Sequence, residues 1–141
     1  MNTVETLQND SEARPVNVGA KGAILLMLYN AAIELLEEAT SSLKEGDLVA
    51  KGAYLSQAHA IISELLASLD FNIDGELSRN LEDLYLFMLD QLVTANMNND
   101  PKPIVVVLSL LRTLREGWEG AVTAERARAS EEYERRVESA A

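Results

Sequence analysis

The sequence predicts an all-α fold: an antiparallel up-down four-helix bundle with a mobile N-terminal arm and a C-terminal helical extension. Three observations carry that prediction. Hydrophobic residues make up 48% of the 141 residues but aromatics only 5%, and the apolar letters are mostly Leu and Ala, which favour helices over strands. Four stretches repeat their apolar residues at alternating three- and four-residue steps. Between them lie short breaks whose residues stop one helix and start the next.

Residues 1–19 are polar, hold Pro15 and Gly19 and show no sustained period, so they read as the mobile arm. The first helix, over 22–44, carries the stripe Leu25, Leu28, Ala32, Leu36, Ala39, Leu43. Glu45-Gly46-Asp47 then supplies a glycine for the left-handed helix end and a carboxylate cap for the next start. The second helix, over 47–69, reads Leu48, Leu55, Ala58, Ile62, Leu65, Leu69. After a break from Asp70 to Gly75, with Asp74 as cap, the third spans 75–97 with Leu77, Leu81, Leu84, Met88, Leu92 and Ala95. Asn98-Asn99-Asp100-Pro101 forms the third break: Asn tolerates the left-handed conformation, Asp caps, and Pro fits a first helical turn. The fourth helix, over 101–122, carries Ile104, Val107 or Leu108, Leu111, Leu114 and Trp118. Its β-branched run Ile104-Val105-Val106-Val107 stays in period with Leu108, Leu111 and Leu114, and so reads as helix. Helices of about 22 residues are roughly 33 Å long, and links this short force neighbours to run antiparallel. The bundle therefore occupies 20–122. Residues 123–141 alternate in charge, with Tyr133 and Val137 as their large apolar pair, and read as a solvated helical tail held by i,i+4 pairs.

The chain has a net charge of −11, no cysteine and a single histidine, His59. Without cysteine there is no disulfide framework, thiolate metal site or thiol nucleophile, and the composition suits a reducing compartment. The acidic balance argues against nucleic acid, whose phosphates need clustered Lys and Arg, and against an anionic membrane surface. No apolar stretch approaches the roughly 18 residues of a membrane span, and residues 1–19 lack the pattern of a secretory signal. A cytoplasmic location without membrane insertion follows. A di-iron site in a bundle needs Glu-x-x-His pairs, but Ser56 stands three positions before His59. No phosphate loop, nucleophile elbow or zinc spacing occurs. Carboxylate pairs such as Glu37-Glu38 and Glu82-Asp83 fall on polar faces. No metal, no cofactor and no catalytic residue is expected, and the chain does not read as an enzyme.

What the chain has in excess is apolar surface. A bundle helix needs about three apolar positions in seven. Beyond the stripes stand Met27 and Ile33 on the first helix, and Val49, Tyr54, Ile61 and Leu66 on the second. The third adds Leu86, Phe87, Leu89 and Val93, and the fourth Val105, Val106 and Leu110. Wider core positions absorb some of these, but the second and third helices still read as two-sided. A groove that receives another apolar helix accounts for the surplus. A self-associating bundle would bury it in a homodimer instead. A histidine phosphotransfer domain is a third reading, since Ala58-His59-Ala60-Ile61 faintly resembles that motif. The motif's phosphate-neutralising Lys is Ile62 here, and its small Gly is Ser63.

Six motifs lie in order with compatible spacing. They are Met27-Leu28-Tyr29-Asn30-Ala31-Ala32-Ile33, Gln57-Ala58-His59-Ala60-Ile61-Ile62-Ser63-Glu64-Leu65, and Ser68-Leu69-Asp70 with Gly75-Glu76. Asn80-Leu81-Glu82-Asp83-Leu84-Tyr85-Leu86-Phe87-Met88, Ala95-Asn96 with Asp100, and Leu114-Arg115-Glu116-Gly117-Trp118 complete them. Together, over residues 16–121, the chain resembles the flagellin-specific export chaperone family (FliS). It departs from the family at Val18-Gly19-Ala20-Lys21, where a Thr-Ala-Ser-Pro is usual, and in having no tyrosine before Tyr29. Asn30 and Leu86 replace aspartates, and Gln57 and His59 replace Lys and Gln.

The resemblance implies a cytoplasmic bundle that binds the disordered C-terminal segment of flagellin. That segment would fold into helices along the bundle, be kept from premature polymerisation, and be recognised at the flagellar export gate. By motif, the partner-binding residues are Ile61, Ile62 and Leu65 on the second helix and Asn80, Leu81, Leu84, Tyr85 and Met88 on the third. In this expectation the aliphatics floor a groove between the two helices, while the Asn80 amide and the Tyr85 hydroxyl meet peptide backbone at its rim. Ile61→Asp should then abolish peptide binding by burying a charge, with helical content kept.

Overall fold

A computed structural model describes residues 18–140, and within them there are four helices and no strand. They are α1 (Val18–Glu45), α2 (Leu48–Ala67), α3 (Gly75–Asn98) and α4 (Lys102–Ala140). The expected arm lies outside the described residues except at its end, where Val18 and Gly19 already belong to α1. A glycine costs only about 1 kcal/mol relative to alanine in a helix, which downstream packing of α1 outweighs.

The breaks work as their residues dictate. Gly46 takes φ +76; its N–H donates to the Leu43 carbonyl at 3.2 Å, and the Asp47 N–H donates to the Ser42 carbonyl at 2.9 Å. This is the doubly bonded glycine stop that satisfies two orphan carbonyls at a helix end. The Asp47 carboxylate then accepts from the Ala50 N–H at 3.0 Å and starts α2. Asp74 repeats the device for α3, accepting from the Leu77 N–H at 3.0 Å. Asn99 stands in the left-handed region at φ 50, and the Asp100 carboxylate accepts from the Lys102 N–H at 3.0 Å.

α1 packs against α2 and α4, and α3 packs against the same two, so the helices follow one another around a square. Two polar ties hold the outer edge of the α1/α4 side: Arg112 to Glu37 at 3.2 Å and Arg115 to Asn30 at 3.0 Å. Among the described residues no ion pair joins α3 to a neighbour, and α3 packs less closely than α1 does.

The interior follows the stripes, with Leu25, Leu28, Leu43, Leu69 and Trp118 partly buried at its margins. Leu48 is half exposed at the start of α2. Leu84 is only partly buried, and its neighbour Tyr85 takes the central position instead. Tyr29 of α1 is also fully buried, and the two phenol oxygens meet across the diagonal of the bundle at 2.5 Å. One hydroxyl donates to the other, which gives two large amphipathic rings a polar contact inside the bundle. The Trp118 indole N–H is directed to the same place but falls outside hydrogen-bond geometry.

Burial pushes the Tyr29 hydroxyl up to about 12, a rise only partly offset by the Tyr85 hydroxyl and the nearby Trp118 N–H. Burial, then the nearby Tyr29, pushes Tyr85 well up as well. An unfolded tyrosine ionises near pH ~10, so the stabilising contribution is complete below that value and is lost as pH climbs through the folded one. Between about pH 10 and the folded value, each further pH unit is therefore expected to remove about 1.4 kcal/mol of stability for each buried phenol. A step in tyrosinate absorbance should coincide with loss of helical circular dichroism; tyrosinate forming fully before the helices melt would refute the buried pair.

α4 is a single helix of 39 residues, roughly 58 Å long at 1.5 Å per residue. Its packed portion extends past residue 122: Ala121, Val122 and Glu125 are buried, and from Arg126 on nearly every residue is exposed. Glu125 pairs with Arg128 and Glu132 with Arg136 at helical spacing along this extension.

Candidate functional site

Most of the apolar surplus stays at the surface. Of the thirteen residues singled out beyond the stripes, Ile33 is buried, Tyr54, Ile61, Leu66, Leu89 and Leu110 pack partly buried against the core, and the other seven are exposed. Leu86, Phe87, Val93, Met97 and Val106 are between 42% and 77% exposed, against a few per cent for core residues.

These residues gather on the two flanks of α3. On its α2 side, Leu86, Leu89, Val93 and Met97 form a row at helical spacing. Facing them, α2 presents the small or polar row Gly52, Ser56, His59, Ser63. Side chains this short leave a gap beside an apolar wall. The result is a cleft of about 240 Å³ lined by Leu55, Ser56, His59, Leu92, Val93, Asn96 and Met97. At one end of it lies Lys51, which is 5% exposed and donates from Nζ to the Asn96 carbonyl at 3.1 Å and to Asn96 Oδ1 at 2.6 Å. The opposite flank of α3 carries Asn80, Leu84 and Phe87 toward α4. There Val106 and Leu110 lie on the side of α4 turned away from Arg112 and hence away from α1.

The eight residues expected to bind a partner do not assemble into one groove. Ile62, Leu65, Leu81, Tyr85 and Met88 are interior, each at most 3% exposed. The apolar stripe that marks a contact surface is also the stripe that fills a bundle, and for these five the bundle takes it. Tyr85 is the plainest correction: its hydroxyl meets Tyr29 in the core and not a rim. Ile61 is half-buried, but it follows His59 by two residues, about 200° around the helix. It therefore lies on the flank of α2 toward α1, away from the cleft. Leu84 precedes Val93 by nine residues, about two and a half turns, which puts it and Asn80 on the α4 flank of α3. The cleft residues Val93, Asn96 and Met97 were legible in one respect: the row of short side chains on α2 aligns with an apolar row on α3, and such a mismatch marks a gap.

His59 is half-buried on the cleft wall. Ile62, at the position where a phosphotransfer motif carries its neutralising lysine, is fully buried, so nothing there offsets phosphoryl charge. Among the described residues no cluster of His, Asp or Glu could hold a metal ion, and no helix is long and apolar enough to cross a membrane.

Residues 4–125 match the family model described as flagellar protein FliS. The chain is 41% identical over 96 residues to the flagellar secretion chaperone FliS of Salmonella typhimurium, covering 67% of this chain and 71% of that one. It is 33% identical over 111 residues to the Bacillus subtilis protein of the same name, covering 79% and 82%. The Vibrio cholerae protein of that name is 33% identical over 96 residues, covering 68% and 71%.

Proposed function

Because the chain belongs to the FliS family of flagellar secretion chaperones, we propose that it binds the disordered C-terminal segment of flagellin in the cytoplasm. The segment folds into helix on the surface beside α3, is held back from premature polymerisation, and is delivered in that state to the flagellar type III export gate. The observation that carries this reading is the pair of apolar rows flanking α3. Leu86, Val93 and Met97 stand on one side and Phe87 with Val106 on the other, all left uncovered by the fold. Isolated apolar side chains need no explanation, but aligned rows at helical spacing fit the apolar face of another helix. Asn80 and Leu84 border the second row and belong to the same proposed surface; Ile61 would join it only if the client also reaches the α1/α2 side.

A client that folds as it binds must offset an ordering cost of about 2–5 kcal/mol or more. Polar surface does not supply that, whereas burial of these rows does. The test is calorimetric titration of the full chain with a synthetic flagellin C-terminal segment, with circular dichroism of the mixture. The expected result is saturable binding, a negative heat-capacity change, and more helix than the sum of the separate components. Binding with no gain in helix would refute the folding-on-binding account, and no binding would refute the client. A homodimer burying the same rows would instead show as concentration-dependent sedimentation of the chain alone.

A further inference from the structure

Asn96 joins α3 to α2 through Lys51. A lysine ammonium has three donors and no acceptor, so the Asn96 side-chain atom 2.6 Å from Lys51 Nζ has to be the carbonyl oxygen. That fixes which way the carboxamide points: Oδ1 is turned to Lys51, and the Nδ2 amide is turned away from it. Asn96 is exposed, and among the described residues no acceptor meets its amide, which is left to water or a ligand where the residue lines the cleft beside Val93 and Met97. The cleft thus combines an apolar wall with two oriented N–H donors and a buried cation behind them, in a chain whose net charge is −11.

Resting on the chaperone reading above, we infer that Asn96 caps the C-terminal end of a client helix lying in the α2/α3 cleft. Its amide donates to backbone carbonyls of the client's last turn. The last four carbonyls of a helix have no partner within it and carry a partial negative charge. An apolar cleft that ends in donors backed by an ammonium complements such an end, in both hydrogen bonding and charge. The other polar groups on the wall, Ser56 and His59, stand one to two turns further along α2, so the donors mark one end of the cleft. Asn96 lies near the end of the bundle that carries Gly46 and Asn99. The client helix therefore runs parallel to α3 and antiparallel to α2.

Asn96→Asp separates this role from a structural one. The carboxylate still accepts from Lys51, so the tie between α2 and α3 survives, but the donors are gone and a negative charge faces the client's carbonyls. With the synthetic flagellin segment as probe, at least a ten-fold loss of affinity is expected, with the thermal midpoint of the free chain retained. Lys51 acts here as a positioning residue through its two hydrogen bonds to Asn96. In the wild-type chain the Asn96 side-chain amide resonances should shift on adding the segment. A spin label at the C-terminal end of the docked helix should broaden the backbone amides of Gly46 and Asn99 and spare those near Gly75. Undiminished affinity of Asn96→Asp, unshifted side-chain amides, or broadening at the Gly75 end overturns this inference alone. A wild-type chain that does not take up the segment overturns the chaperone reading, and this inference with it.

Discussion

Val93→Asp is expected to weaken binding of the flagellin segment by at least 100-fold while leaving the free chain folded. Val93 is 45% exposed on the cleft wall, so an aspartate there keeps its carboxylate in water when no client is present. The cost in the free chain is then little more than helix propensity, a few tenths of a kcal/mol. A docked client excludes that water, and a carboxylate left without a partner in an apolar contact costs several kcal/mol. Each 1.4 kcal/mol or so is a factor of ten in affinity, which gives two decades or more. Ser41→Asp, on an exposed position of α1 remote from α3, should bind as the wild type does. Titration calorimetry with thermal melts of all three proteins reads out both halves of the expectation. If Val93→Asp binds normally, the client does not use the α2/α3 cleft, and the row of Phe87 and Val106 on the other flank becomes the surface to test by the same substitution.

The helices and their stops were legible in the sequence because each rests on a few local rules. Gly46 stops α1 through its positive φ, the carboxylates of Asp47 and Asp74 start the helices that follow, and alternating three- and four-residue steps mark the inner faces. The contact surface was less legible, for a physical reason. Leu81 and Leu86 are the same residue type on the same helix, and only their angles around it separate a core position from an exposed one. Those angles acquire meaning only once the neighbours of α3 are known. Tyr85 shows the other blind spot. A tyrosine beside an apolar stripe has a hydroxyl that wants a partner, and nothing local says that the partner is Tyr29, 56 residues earlier, across the diagonal of the core. What the sequence did carry was the count. There was more apolar surface than four helices can bury, and most of it remains uncovered.

The adjacent pair Ile61 and Ile62 puts that angular argument to its sharpest test. Ile62 is fully buried in the bundle, while Ile61 is half-buried on the flank toward α1. Ile62→Asp places a charge where neither water nor a cation can reach it, at a cost of several kcal/mol. That is comparable to the whole stability of a domain, about 5–15 kcal/mol, so the variant should lose cooperative melting and much of its helical signal. Ile61→Asp can turn its carboxylate outward; it should cost about 1–2 kcal/mol, melt cooperatively and keep its helices. The two aspartates differ by about 100° around one helix and by nothing in composition, so a large difference between them comes from the fold alone. Binding separates the remaining possibilities. With the client on α3, Ile61→Asp should bind the flagellin segment within a few-fold of the wild type. A folded Ile61→Asp that has lost the client would instead extend the contact surface around α2 to its α1 side.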